Sequence, residues 1–526
     1  MELIGRKEIF TDVEEITSEN LIDVLQKAMI TFSPNAEECN FLVNYEKGIQ
    51  PLKREKKYRS DINCVCVDNI ANEITDFKLG FQWANPTTLV QRSEKTELSD
   101  AISELNEQYD IAGINKNTQK LGYSVETTGV GYVLIDINTE WQEGDSYFTH
   151  DVLDPNCTFI IKSSLYVDHR PMLGVTFRTD EYGNRYFTCY SKKQRFDVLN
   201  LTTIIDGKDV HKIANGEVKW EHGKRSGEPN PLGMIPINET IRSHDRMGCF
   251  ERQISEMDNL NLLISDFTND VDQNTQAIWH SNDVEFPAET IVKTDGTTEE
   301  QVKRPTTNDW LQTFTSPDGK TPFVKPLAIE YDYEGMLQNI ITRRATILQK
   351  CNVPQRNDNS GGSTGIAMSD ATGWTAAETS ASKQQSIIDD CKMREVRLVL
   401  AAIKKHPDIP QGSPLLKLRY SDVKPNTNRQ KNYELTTKIN FFATAVSHGI
   451  NGLHALKAMN AFEDVNQVWE DSKELIEKYQ QSVFDKDTEN NAVGGEGEQK
   501  PNADRLDQDK SDQETNSPSL LGQQTK

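Results

Sequence analysis

Three carboxylates close together on one segment, Asp266, Asp270 and Asp272, come nearest in this chain to metal chemistry. On a helix, residues 266 and 270 share a face. Carboxylates so placed could hold Mg²⁺ for the hydrolysis of a phosphodiester. No general base, basic clamp or second cluster accompanies them, so a solvated polar face is the simpler reading. A phosphate loop needs the pattern GxxxxGK[ST]. Gly319-Lys320-Thr321 has Phe314 where the first glycine belongs, and Pro322 spoils the helix start behind the lysine. It reads as a surface turn. The run RNDNSGGSTGIAMSDATGW, residues 356–374, is rich in Gly, Ser, Thr and Asn but has no lysine. His448 and His454 are six apart, the wrong spacing for one helical face, and HExxH does not occur. No cofactor or metal is expected.

The eight cysteines are scattered and none forms CxxC; Cys64 and Cys66 have one residue between them. They read as inert thiols, which points to a reducing, intracellular place of synthesis. No run of 18 apolar residues exists, and MELIGRKEIFTDVEE lacks the apolar stretch of a signal peptide. The 526 residues suffice for two to four domains. With a net charge of −23, the chain is not built to wrap DNA on a basic surface. DNA that merely passes by stays compatible with that charge. Residues 485–526 hold no aromatic residue, four of Val and Leu, ten acids and five bases. Such a tail buries too little to become ordered. Its net −5 leaves −18 to the rest, so the acidity belongs to the folded body.

The elements that would position these residues follow from periodicity. TSENLIDVLQKAMITF and ELSDAISELNEQYD have apolar residues at helical spacing, and the chain to about residue 125 reads as helical. VGYVLIDI, CTFIIK, MLGVTFRT, RYFTCY and FDVLN read as strands, with DEYGN at 180–184 as a hairpin turn. Residues 246–279 form one amphipathic pattern, from Phe250 through Ile264 to Val271, that predicts a helix about 45 Å long. Its polar face is acidic: Glu251, Glu256, Asp258, Asp266, Asp270 and Asp272. Residues 280–329 are irregular, and a second helix, carrying Arg343 and Arg344, is predicted over 333–350. A third starts where Thr375 and Glu378 have capping-box spacing and ends before Pro407. LLKLRY reads as a strand, and three shorter helices follow to about residue 480. The class is α+β.

The order of these parts resembles the portal proteins of tailed bacteriophages, of the type found with long non-contractile tails. The resemblance covers roughly residues 20–480. It rests on YEKGIQP (45–51), NCVCVDNIANEITDFKLG (63–80), GMIPINET (233–240), CFERQISEMDNLN (249–261), GIAMSDATGW (365–374) and HGINGLHALKAMNAFEDVNQVWE (448–470), taken in order. Trp374 and its small neighbours depart from the bulkier aliphatic and basic residues usual there. The resemblance implies a structural ring without catalysis, most simply a dodecamer, at the unique capsid vertex, assembled in the host cytoplasm. Residues 1–240 would be a mixed α/β wing, 241–279 and 330–352 the stem, and 280–329 a small β-containing clip. Residues 353–374 would be a tunnel loop, 375–425 a long helix returning through the wing, 426–482 an all-α crown, and 483–526 a disordered acidic tail. The implied partners are further copies of itself, double-stranded DNA as cargo, the terminase motor, a head-completion or tail adaptor, and the major capsid and scaffolding proteins, with no membrane.

In that setting the 356–374 run has a physical purpose. Ring-related loops around a screw-symmetric duplex cannot all share one geometry. Gly361, Gly362, Gly365 and Gly373 supply backbone freedom, and Ser363, Thr364 and Trp374 add no charge to grip phosphates. An acidic stem would likewise repel DNA. Lys303, Arg304, Trp310, Lys320 and Lys325 give the clip a basic and aromatic surplus suited to docking. The competing readings are a metal-dependent nucleic-acid-processing enzyme built on Asp266, Asp270 and Asp272, and another capsid ring or scaffold component.

Overall fold

The computed structural model describes residues 5–53, 62–92, 98–199, 208–213, 216–221, 228–275, 279–282, 288–293, 296, 298–302, 322–326, 332–355, 373–426, 435–459, 462, 465 and 468–478. The class is α+β, as the sequence predicts. The chain divides into two compact units, residues 1–429 and 430–526.

The first unit opens with strand β1 (Ile9–Thr11) and helices α1 (Leu21–Glu46) and α2 (Ile70–Gln82). Strand β2 (Thr88–Gln91), α3 (Ser99–Ile111) and α4 (Ile114–Thr128) follow. Gly113, left-handed at φ 66°, turns the chain between α3 and α4. Next come β3 (Val130–Ile137), β4 (Phe148–Leu153), β5 (Thr158–Ser163), β6 (Pro171–Thr179), β7 (Arg185–Tyr190) and β8 (Gln194–Leu199). The 180–184 turn joins β6 to β7 as predicted: Asp180 N–H donates to the Asn184 carbonyl at 3.0 Å. The strands continue as β9 (Lys208–Ile213), β10 (Gly216–Glu221), β11 (Glu228–Pro229) and β12 (Ile237–Ile241). One six-stranded sheet runs β1-β5-β6-β7-β8-β11, and a second, three-stranded, runs β12-β3-β4.

Alternation along the strands and the four-residue steps of the helices bury two cores. Leu25 and Phe32 of α1 cover Phe159, Ile161, Val175 and Phe187 of the larger sheet. Leu105, Leu121 and Val125 pack with Val133 and Phe148 of the smaller. Each such side chain gains about 1.5–3 kcal/mol from burial.

The remaining elements are α5 (Ile254–Thr275), β13 (Trp279–Asn282), β14 (Ala288–Val292), β15 (Thr298–Val302) and β16 (Phe323–Pro326). Helices α6 (Tyr333–Lys350) and α7 (Trp374–Lys405) and strand β17 (Val423–Asn426) complete the unit. β13 pairs with β16, β14 with β15, and β17 with β2. Helix α7 adds Val399 and Ile403 to the α3–α4 core. The second unit holds α8 (Leu435–Ser447), α9 (Gly452–Met459) and helical residues 468–478.

Three expectations need correction. The 246–279 helix is shorter: α5 has 22 residues, about 33 Å, and a 3-10 turn over Glu251–Gln253 precedes it. Arg246 is left-handed at φ 55°, and a Cβ on Gly248 would lie 2.2 Å from the Thr127 carbonyl oxygen. That close crossing with α4 delays the helix. LLKLRY is not a strand but part of two 3-10 turns, Pro414–Lys417 and Tyr420–Asp422. Ser413 Oγ accepts the Leu415 N–H at 3.2 Å, and Pro414 opens the first turn. Thr375 is not the helix cap, because α7 starts two residues earlier than that cap requires, at Trp374 after a left-handed Gly373.

Candidate functional site

Helices α5 and α6 lie antiparallel. Phe267 meets Tyr333 edge to face, centroids 5.9 Å apart, while at the other end Lys350 Nζ lies 3.6 Å from Glu256. Their root is a buried cluster of Leu42, Tyr45, Ile70, Ile74, Phe250, Met257, Leu260, Ile347 and Leu348. Tyr45 donates its hydroxyl to Asp258 at 2.7 Å. Burial first, then Asp258, pushes that hydroxyl's pKa up.

A polar ladder runs up the side of α5. Asn261, Ser265 and Asn269 are buried and four residues apart. They accept the backbone N–H groups of Asp68, Cys66 and Cys64 at 2.8, 2.9 and 2.8 Å. Four helical residues rise about 6 Å and two extended residues about 6.6 Å, so the steps match. The ladder fastens the extended stretch before α2 along α5. The expectation of a solvated polar helix face missed it. Small polar residues at i, i+4 and i+8 were the available signal.

Two buried ionic knots join the start of α5 to the N-terminal part of the chain. Arg6 reaches the carboxylate of Glu251, lies 3.2 Å from Glu38, and donates to the Thr128 carbonyl at 2.8 Å. The other Glu251 oxygen accepts the Gly248 N–H at 2.8 Å. Fully buried Glu126 accepts from Trp83 Nε1 at 3.0 Å, Gln384 Nε2 at 2.5 Å and Arg242 Nε at 2.9 Å. One carboxylate thereby fastens α2, α4 and α7 to the chain that enters α5. Nearby, Arg246 grips Glu239 with both guanidinium nitrogens, at 3.1 and 2.5 Å.

The predicted acidic face therefore divides. Glu251 is buried and paired, because it starts the 3-10 turn rather than lying on the outer helix surface. Asp258 accepts from Tyr45, and Asp272 lies 3.6 Å from the Cys64 thiol. Glu256 and Asp270 are half-buried and Asp266 is exposed. Among the described residues, no three His, Cys, Asp or Glu side chains gather where they could hold a metal. Arg344 pairs not with α5 but with Asp68, at 2.9 Å, and with Glu73. Arg343 donates to Asn339 at 2.9 Å.

Gly361, Gly362, Ser363, Thr364 and Gly365 lie outside the described residues, as do Lys303, Arg304, Trp310 and Lys320. Lys325 sits on β16, 5.2 Å from the centre of the Phe323 ring. Trp374 is the first residue of α7, its ring 5.9 Å from those of both Phe77 and Phe81 on α2. A Cβ on Gly373 would lie 3.9 Å from Pro354 Cα, so Pro354 and the start of α7 lie side by side.

Among the described residues, no helix is long and apolar enough to cross a membrane. No curated protein matches the chain. Among solved structures, a chain from "Neck of empty GTA particle computed with C6 symmetry" is similar over 76% of this chain and 93% of its own. It shares 10% identity at a TM-score of 0.34, too low to define a common architecture. A family model described as "Phage portal protein, SPP1 Gp6-like" matches residues 35–482. That match spans from α1 past the α5–α6 pair and α7 to the last described helix, and the chain belongs to the SPP1 Gp6-like family of phage portal proteins.

Proposed function

We propose that this portal protein closes into a dodecameric ring at one capsid vertex and that double-stranded DNA is packaged and ejected through its channel. The observation that carries the reading is the family match through both α5 and α6. In this reading residues 1–240 form the wing, 241–279 and 330–352 the stem, and 280–329 the clip. Residues 353–374 form the channel loop, 375–425 return through the wing, 426–482 form the crown, and 483–526 are the acidic tail. The clip receives the terminase motor first and the tail adaptor later, and the wing faces the capsid and scaffolding proteins. Assembly takes place in the host cytoplasm.

The stem chemistry suits passive transport. The acids of α5 include the exposed Asp266, and like charge keeps phosphates from adhering. The loop's low charge acts the same way. A packaging reaction with capsids assembled with and without the chain tests this. DNA uptake should require the chain, and the purified chain should leave DNA uncut in Mg²⁺. Equal uptake without it, or Mg²⁺-dependent cleavage, would overturn the proposal.

A further inference from the structure

The chain has a net charge of −23, yet one part of its surface is basic. Arg394 and Arg397 are exposed three residues apart on one face of α7, where like charges repel. The Arg397 guanidinium lies 5.5 Å from the centre of the Tyr420 ring, which is itself 50% exposed. Arg419 beside it is exposed. In the β2–β17 ribbon, exposed Lys424 stands opposite exposed Val90. Arg92 is exposed just beyond β2, and its N–H donates to the Asp422 carbonyl at 2.8 Å.

Little offsets this charge. Asp390 is exposed one turn before Arg394, and the Asp422 carboxylate is turned to the Arg419 N–H at 3.2 Å. Among the described residues, none of the five cations forms an ion pair. The backbone beneath them is fixed. Lys404 Nζ donates to the Leu418 carbonyl at 2.5 Å, and the Asp422 N–H to the Arg419 carbonyl at 3.0 Å. The face is also separate from the α5–α6 pair. Trp374 rests on α2, whose Ile70 and Ile74 enter the root of that pair, and Arg397 lies 23 residues further along α7, about 35 Å.

We propose that this face holds the phosphate backbone of duplex DNA, at a contact distinct from the channel. The proposal rests on the channel reading above, which brings a duplex to the protein. Guanidinium groups on a fixed platform suit phosphate oxygens, and the Tyr420 ring is a positioning group for Arg397. A duplex carries one charge per about 1.7 Å of axis, a density that an extended acidic peptide, at about 3.3 Å per residue, does not reach.

Closed circular plasmid has no end to thread into a channel, so its binding to the assembled full chain reads the outer surface alone. The unaltered chain should bind it. Arg397→Gln with Lys424→Gln should weaken binding at least about ten-fold and flatten the log–log salt slope by about 1.8 for each subunit engaged. Tyr420→Leu should weaken it about two- to five-fold without changing the slope, since no charge is removed. Lys192→Gln with Lys193→Gln, an equal charge change on exposed residues between β7 and β8, should bind as the unaltered chain does. Plasmid should block acetylation of Lys424 and not of Lys192. No binding of the closed circle, a slope unchanged in the Arg397/Lys424 variant, or an unprotected Lys424 would overturn this contact and leave the channel reading standing. Poly-glutamate binding as tightly at equal charge would overturn it in favour of an acidic protein. Capsids that take up DNA without the chain would overturn the channel reading and this contact with it.

Discussion

Asn269 holds the backbone of Cys64 with both ends of its carboxamide. The Cys64 N–H donates to Oδ1 at 2.8 Å, and Nδ2 donates to the Cys64 carbonyl at 2.9 Å. An amide of this shape replaces the strand that the stretch lacks on that side. Asn269→Leu keeps the volume but leaves the part-buried Cys64 N–H and carbonyl without this partner, at about 1 kcal/mol. Hydrogen exchange at the Cys64 amide should accelerate with the global loss of stability or beyond it. Unchanged exchange there would contradict the ladder.

Arg6 and Glu251 are both buried, and their pairing ties the N-terminal stretch to the turn before α5. Removing one partner leaves an uncompensated buried charge. Arg6→Met or Glu251→Leu alone should cost about 3–5 kcal/mol. The double variant should cost less than the sum of the two, because no orphan charge remains on that pair. Chemical denaturation of the four proteins gives the coupling directly, and simple additivity would show that the two do not act together.

Acid sensitivity follows from two other carboxylates. Burial raises the Glu239 carboxyl, but Arg246 and then Lys162 outweigh it and hold it down at about 2, below the ordinary 4.5. Glu395 is likewise raised by burial, then lowered to about 2 by Lys392 and His150. A depressed carboxylate stabilises the fold above its unfolded value near 4.5, and that contribution is lost as pH falls toward 2. Each group contributes on the order of 3 kcal/mol at neutral pH. Glu395→Gln should lower stability at pH 7 and flatten its fall between pH 4.5 and 2, as read by denaturant midpoints. A variant with the slope of the unaltered chain would contradict the assignment.

Trp374 rests on Phe77 and Phe81 but is 45% exposed. Trp374→Ala should therefore leave the melting temperature nearly unchanged. Hydrogen exchange in the first turn of α7 should still rise, because that turn loses its contact with α2. Protection equal to that of the unaltered chain would show that the aromatic contact does not hold the helix start.

Periodicity made α1, α3, α6 and the strands β3 and β5 to β8 legible, because each buries one regular face against a partner supplied by the same unit. The start of α5 was not legible. Its delay comes from Gly248 crossing Thr127, a contact between residues 121 positions apart. LLKLRY alternates like a strand, yet the local bonds of Ser413 and Asp422 turn it into 3-10 structure. Glu251 reads as one more acid on a helix, and only the fold brings Arg6 beside it. The polar ladder was written in the sequence at four-residue spacing. Its partner is a backbone, which carries no sequence signal.

Electron microscopy of the purified full chain is the most direct test of its role as a portal ring. The account predicts closed rings with a central channel wide enough to admit a DNA duplex, and α5 and α6 of every subunit around it. A population of monomers or open chains, under conditions where the protein is folded, would contradict it.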